Sequence, residues 1–187
     1  MVDWRINLKN TLYHASAGRR GWQVIMASQW YSLVSQKLFM ARTLTGRADS
    51  RQTGDESALE REALIQGAIE LTLRARRLLL VMIARFYQHR NGEPESLEAL
   101  IQLVGEEVPE TEALQALAGE AGSWWQHLDQ LDAAQGKPPA TRKTVSAENI
   151  IAIAAASGPD RSPSALYASL NALKQFADTL EERHSEW

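Results

Sequence analysis

Cysteine is absent from the chain, which removes thiolate zinc sites, cysteine nucleophiles, disulfide frameworks and iron–sulfur clusters together. Long apolar runs are missing as well. None exceeds seven residues, the length of Leu78 to Ala84, against the roughly 20 that a membrane-spanning helix needs. Near the basic residues Arg5, Lys9, Arg19 and Arg20 the apolar positions are interrupted by polar ones, so no secretory signal is read and the expectation is a cytoplasmic protein with no membrane span. There is no G-x-S-x-G, no G-x-x-x-x-G-K-[ST] and no G-x-G-x-x-G following a strand, so serine-nucleophile, phosphate-loop and dinucleotide signatures are all missing. The four histidines, His14, His89, His127 and His184, lie far apart, and no two-histidine helical pair can be drawn for a metal. No catalytic residue, metal or cofactor is therefore assigned.

What is present points to helices. Ala and Leu together number 50 and Val, Ile and Thr 25, a two-to-one excess of strong helix formers over β-branched residues. Trp30, Val34, Leu38 and Ala41, widened by Leu33 and Leu44, predict a first helix over 28–45 that stops at Gly46, with a solvated loop from Gly46 to Gly54. Leu64, Ala68, Leu71, Ala75, Leu78, Met82 and Phe86 mark the longest helix, from about Asp55 to His89 and ended by Asn91-Gly92. Because Leu78 to Ala84 is apolar all round, this helix belongs at the centre of a bundle. A short helix runs from Ser96 to Gly105. After Pro109, a single helix is expected to carry Leu114, Leu117, Ala121, Trp124, Leu128 and Leu131. Gly136 to Thr144, with two adjacent prolines, reads as a linker, and Ala147 to Ser157 as a short helix capped by Ser146. Ser162-Pro163 then opens a last helix along Leu166, Leu170, Leu173, Ala177 and Leu180. The fold class is thus all-α: one domain over residues 26–187, five to six helices, and a long central helix at about 55–90. Residues 1–25 give no clean helical stripe and read as an N-terminal extension, disordered or peripheral to the bundle.

Charge adds a second pattern. The net charge of −3 argues against a dedicated nucleic-acid binder, whose domain pI usually lies above about 9. By region, residues 1–54 carry +6, residues 55–91 +1, residues 92–136 −10 with no basic residue, and residues 137–187 zero. Segregation of this kind predicts that the basic and acidic parts meet each other or a partner.

Three groups stand out as candidates. Arg74, Arg77, Arg85 and His89, with Arg76 and Arg90, make the second half of the long helix basic and offer an anion or RNA-backbone site. The alternative reading is that they complement the helix C-terminus and pair with the acidic block. The Arg85 and His89 pair resembles the HEPN ribonuclease motif, but its three intervening residues are too few. Trp124-Trp125 is the second candidate, as an interaction site. Neighbouring helical positions point about 100° apart, so one indole is expected in the core and the other partly exposed. The third is Glu181-x-x-His184, half of the paired motif that di-iron bundles use. Occurring once, it reads as a solvated helix end.

The run Ser35-Gln36-Lys37-Leu38-Phe39-Met40-Ala41-Arg42 resembles the N-Q-K-L-Y-F-A type signature of a family of small, uncharacterised gammaproteobacterial proteins, departing from it at Ser35 and Met40. The resemblance covers about residues 28–184. It implies a helical domain of unknown function, with no reaction or site residues to carry over, and agrees with a native start near Met26. The functional expectation is a bacterial, cytoplasmic protein-interaction or regulatory module without catalytic activity, working with a protein partner. The alternative is an RNA- or phosphate-directed enzyme or binder using the basic half of the long helix. A third is a homodimer in which the basic first helix of one copy meets the acidic block of the other.

Overall fold

The computed structural model describes the backbone of residues 8–50, 55–137 and 158–185, and the side chains of residues 29–50, 57–137 and 158–185. Six helices and no strand occur among them: α1 (Leu8–Ser50), α2 (Asp55–Phe86), α3 (Leu97–Val104), α4 (Pro109–Gly119), α5 (Trp124–Gln135) and α6 (Pro163–Ser185). The expected linker at 136–144 lies almost wholly, and the expected helix at 147–157 wholly, outside the described residues. None of the described helices is long and apolar enough to cross a membrane.

Three long helices carry the architecture. Arg85 over Trp30 at one end and Arg61 donating to the Ala48 carbonyl at the other set α1 and α2 antiparallel. α6 runs antiparallel to α1, tied by Tyr31 to Asp178 at 2.8 Å and by Arg42 to Asn171 at 2.6 Å. The last helix buries its whole predicted stripe, from Leu166 to Leu180. α2 touches α1, α3, α5 and α6, and Leu78 to Ala84 is buried at every position, as an apolar run with no polar face requires.

Helix ends follow local chemistry where the sequence marks them. Ser96 caps α3 by accepting the Ala99 N–H at 3.1 Å, and Gly105 closes it at φ 103°. Ser162 accepts from Ala165 at 3.3 Å, with Pro163 at the first helical position.

Four boundaries differ from expectation. α1 begins at Leu8 rather than near Ser28. It also continues through Gly46 to Ser50, burying Ala48 where a solvated loop is expected. Gly46 lies where α6 comes close: a Cβ at that position would stand 2.9 Å from the Tyr167 hydroxyl, so a larger residue would make that side chain shift, while the glycine itself costs the helix about 1 kcal/mol. The single helix expected after Pro109 is broken between α4 and α5 by Gly122 at φ 82°, followed by Ser123 as a new N-cap accepting the Gln126 N–H. The long helix stops at Phe86, short of His89.

Its end is a Schellman turn: the His89 N–H reaches the Ala84 carbonyl and the Gln88 N–H the Arg85 carbonyl, both at 3.0 Å. That geometry puts exposed Gln88 at φ 70°, the position glycine usually takes. Gln88→Gly is expected to stabilise the protein by about 0.5–1 kcal/mol, the left-handed strain removed less the extra chain entropy of glycine. A thermal melt checks it, with Gly122→Ala as the opposite case, expected to lower the midpoint.

Candidate functional site

Most of the side chains singled out by type are engaged in holding helices together. The Arg85 guanidinium donates through Nη1 to the carbonyls of His89 and Gly92, the latter at 3.1 Å, and lies 5.1 Å above the Trp30 ring. It clamps the turn after α2. His89 is half-buried in that turn, while Arg74 and Arg77 are exposed on α2. Between them along the helix runs the buried segment Leu78 to Ala84.

Arg76, not among the four anion-site candidates, is the buried cation of this helix. Its two Nη atoms reach Asp129 at 2.5 Å and Asp132 at 3.2 Å, and its guanidinium lies 5.0 Å over Trp125. Here the basic half of α2 meets the acidic block, as the charge segregation predicts. Trp125 is buried beneath Arg76, and Trp124 is half-buried, edge-on to Trp125 at 5.5 Å and tilted against Phe176 of α6 at 5.9 Å. One indole is therefore inside and the other covers a neighbouring helix.

His127, one turn on, bridges α5 to the start of α6. Its Nε2 meets the main-chain oxygen of Asp160 at 2.8 Å, which can only accept, so Nε2 carries the proton. In the neutral ring Nδ1 then accepts from the Ser169 hydroxyl at 2.6 Å. A serine bonded to a histidine is the start of a nucleophilic pair. Ser169, however, is buried inside α6, where neighbouring backbone N–H groups are occupied by the helix and cannot form an oxyanion hole.

The group that sequence reasoning misses centres on Glu110, in the first turn of α4 and only 1% exposed. Tyr87 donates to Oε2 at 2.5 Å; Oε1 accepts from Arg183 at 3.2 Å and meets His184 Nε2 at 3.1 Å. His184 is held by its neighbours too, stacked on Phe86 with ring centroids 4.0 Å apart and edge-on to Tyr87. The expected solvated end of α6 is thus turned inward, joining the ends of α2, α4 and α6. Burial alone would raise the Glu110 carboxyl, but the hydrogen bonds from His184, Tyr87 and its own backbone N–H outweigh it, and the group is held at about 2. Burial and the adjacent carboxylate push the Tyr87 hydroxyl well up. A carboxylate so strongly acidic and so fully engaged is a poor general base near neutral pH. The one hint in the sequence is Glu181-x-x-His184, whose partner turns out to be Glu110 rather than a metal. Among the described residues no cluster of three His, Asp or Glu side chains is arranged to hold a metal ion.

Beside Glu110, between α4 and α6, lies a cleft of about 360 Å³. Exposed apolar side chains also occur on the outer face of α1. Phe39 is 72% exposed there, with Met40 and Leu33 also exposed, while Val34, Leu38 and Ala41 turn inward. Leu33, expected to widen the buried stripe, therefore points out instead.

Residues 26–187 match the model of a family described as a family of unknown function, DUF6586. Neither the curated proteins nor the solved structures give a match.

Proposed function

The chain belongs to the DUF6586 family, whose function is unknown, and from that premise we propose that it works as a cytoplasmic, non-catalytic interaction module. Its docking surface is the outer face of α1. The observation that carries this reading is the exposure of Phe39 together with Leu33 and Met40 over two turns of one helix. Scattered exposed apolar residues are ordinary, but a strongly exposed aromatic next to Met40, with Leu33 two turns earlier in line with Met40, groups the residue types found at interface centres. Phe39 and Met40 fall within the Ser35 to Arg42 signature, where Arg42 is already occupied by Asn171 and the Tyr167 ring.

The partner this face fits is a protein segment with an apolar anchor and acidic flanks. Lys37, Arg42 and Arg47 outnumber Asp49 along residues 29–50, so opposite charge on the partner aids encounter and register. A photo-crosslinking amino acid placed at Phe39 in cells is expected to trap one discrete adduct that the same probe at exposed Gln102 of α3 does not. Identical adducts from both positions, or none from Phe39, would overturn the assignment.

The phosphate-directed alternative loses Arg85 and Arg76, which are spent on the turn and on α5, and is left with the exposed Arg74 and Arg77 on α2 and Arg90 beyond its end. Arg74 and Arg77 are separated from Arg90 by the buried run Leu78 to Ala84, which makes a weak anion site, and the interaction reading is preferred on that ground.

A further inference from the structure

The cleft between α4 and α6 does not belong to the α1 face, and its construction is specific. α4 and α6 both pack on α5. Where the two would otherwise meet, each presents a small residue, Ala113 and Ala172, and the space so left is about 360 Å³. Pro109, Phe176 and Leu180 complete apolar walls. Ligand sites of small proteins begin at about 300 Å³ and combine such walls with a few fixed polar groups.

The fixed polar group here is Arg183, at one end of the cleft. Its side chain is 51% exposed, and its Nη1 makes a single 3.2 Å contact with buried Glu110. A guanidinium has five N–H donors. One is used on Glu110, which anchors the arm, and the others are available to a second acceptor. Thr179, also lining the cleft, returns its hydroxyl to the Gln175 carbonyl at 3.0 Å and so does not compete for that role. The Glu110 charge is already answered by Tyr87, His184 and Arg183, leaving the guanidinium as the accessible charge.

From this arrangement we propose that the α4–α6 cleft is a binding site for a small monocarboxylate with an apolar or aromatic body. The carboxylate pairs with the free N–H edge of Arg183, a geometry guanidinium favours, and the body lies on Phe176 between Ala113 and Ala172. The limited volume and single cation select a small molecule over a peptide.

Calorimetric titration of the full chain with 4-phenylbutyrate tests this, with 4-phenylbutanol and a leucine-terminated acetyl dipeptide as comparisons. Saturable one-to-one binding of 4-phenylbutyrate is expected, at least tenfold tighter than the alcohol or the peptide. Ala172→Phe, which fills the cleft without touching the Arg183 and Glu110 pair, is expected to abolish binding while the thermal midpoint stays within a few degrees. Arg183→Met is expected to weaken the acid at least tenfold and leave the alcohol unchanged. Equal binding of acid and alcohol, binding by the peptide alone, no saturation by millimolar ligand, or binding unaltered by Ala172→Phe would each overturn the proposal. None of these outcomes depends on whether α1 docks a partner.

Discussion

At neutral pH, Glu110→Gln is expected to destabilise the bundle by about 3 kcal/mol, and that deficit is expected to close on acidification. The Glu110 carboxyl falls from an ordinary value of 4.5 to about 2 in the folded chain, and each tenfold change in proton affinity corresponds to about 1.4 kcal/mol. A carboxyl whose folded value is depressed binds its proton less readily folded than unfolded. Its contribution is therefore complete above about pH 4.5 and is lost as the pH falls towards 2. Glutamine keeps the shape but cannot take part in this linkage. It also replaces an acceptor-only group, on which Tyr87, Arg183 and His184 converge, by one with two donors. Urea unfolding of wild type and variant at neutral pH and in steps down to pH 2.5 measures the gap directly. A deficit that stayed constant with pH would show that lost packing, not the buried charge, is responsible. Tyr87→Phe supplies the partner test. It should cost about 1.5–3 kcal/mol in the wild type, the usual worth of a hydrogen bond to a charged group, and much less when Glu110 is already glutamine.

Leu79→Ala is expected to cost about 3–4 kcal/mol, or roughly 10 °C in thermal midpoint for a chain of this size. Leu79 has no exposed surface and belongs to the run from Leu78 to Ala84, buried at every position of the helix that packs against α1, α3, α5 and α6. Truncation there removes the transfer free energy of the side chain and leaves a cavity that several elements would have to move together to fill. On the same helix Leu59 is 77% exposed, and Leu59→Ala should change stability by less than about 0.5 kcal/mol. Equal costs at the two positions would be incompatible with α2 as the central helix. Midpoints from calorimetry suffice to compare them.

Elements whose ends are set by local chemistry could be read from the sequence. Ser96 with Gly105 and Ser162 with Pro163 each carry the residue a helix end demands, and the structure uses them in that way. So could the central place of α2, because an apolar run without a polar face has to be surrounded. Elements decided by distant partners were hidden. Gly46 resembles a stop, yet the helix continues through it, close to the Tyr167 hydroxyl. The periodicity from Leu114 to Leu131 persists across a real break, since the same hydrophobic spacing serves one helix or two packed in succession. Charge segregation pointed to contact between the basic half of the long helix and the acidic block, a contact that Arg76 makes with Asp129 and Asp132. It gave no way to Glu110, whose partners lie 23, 73 and 74 residues away and come partly from the neutral C-terminal region. A buried carboxylate has no signature of its own in one sequence; it is defined by the neighbours that make its burial tolerable.

The interaction reading requires the α1 strip to be dispensable for folding and necessary for contact. Measured on one variant, Phe39→Ser/Met40→Ser, these requirements separate cleanly. The thermal midpoint should remain within about three degrees of wild type, because substitutions at exposed positions rarely exceed about 0.5 kcal/mol each, while the adduct trapped by a photo-crosslinker at Leu33 should disappear. A midpoint lowered by several degrees, or an adduct that survives both substitutions, would contradict it.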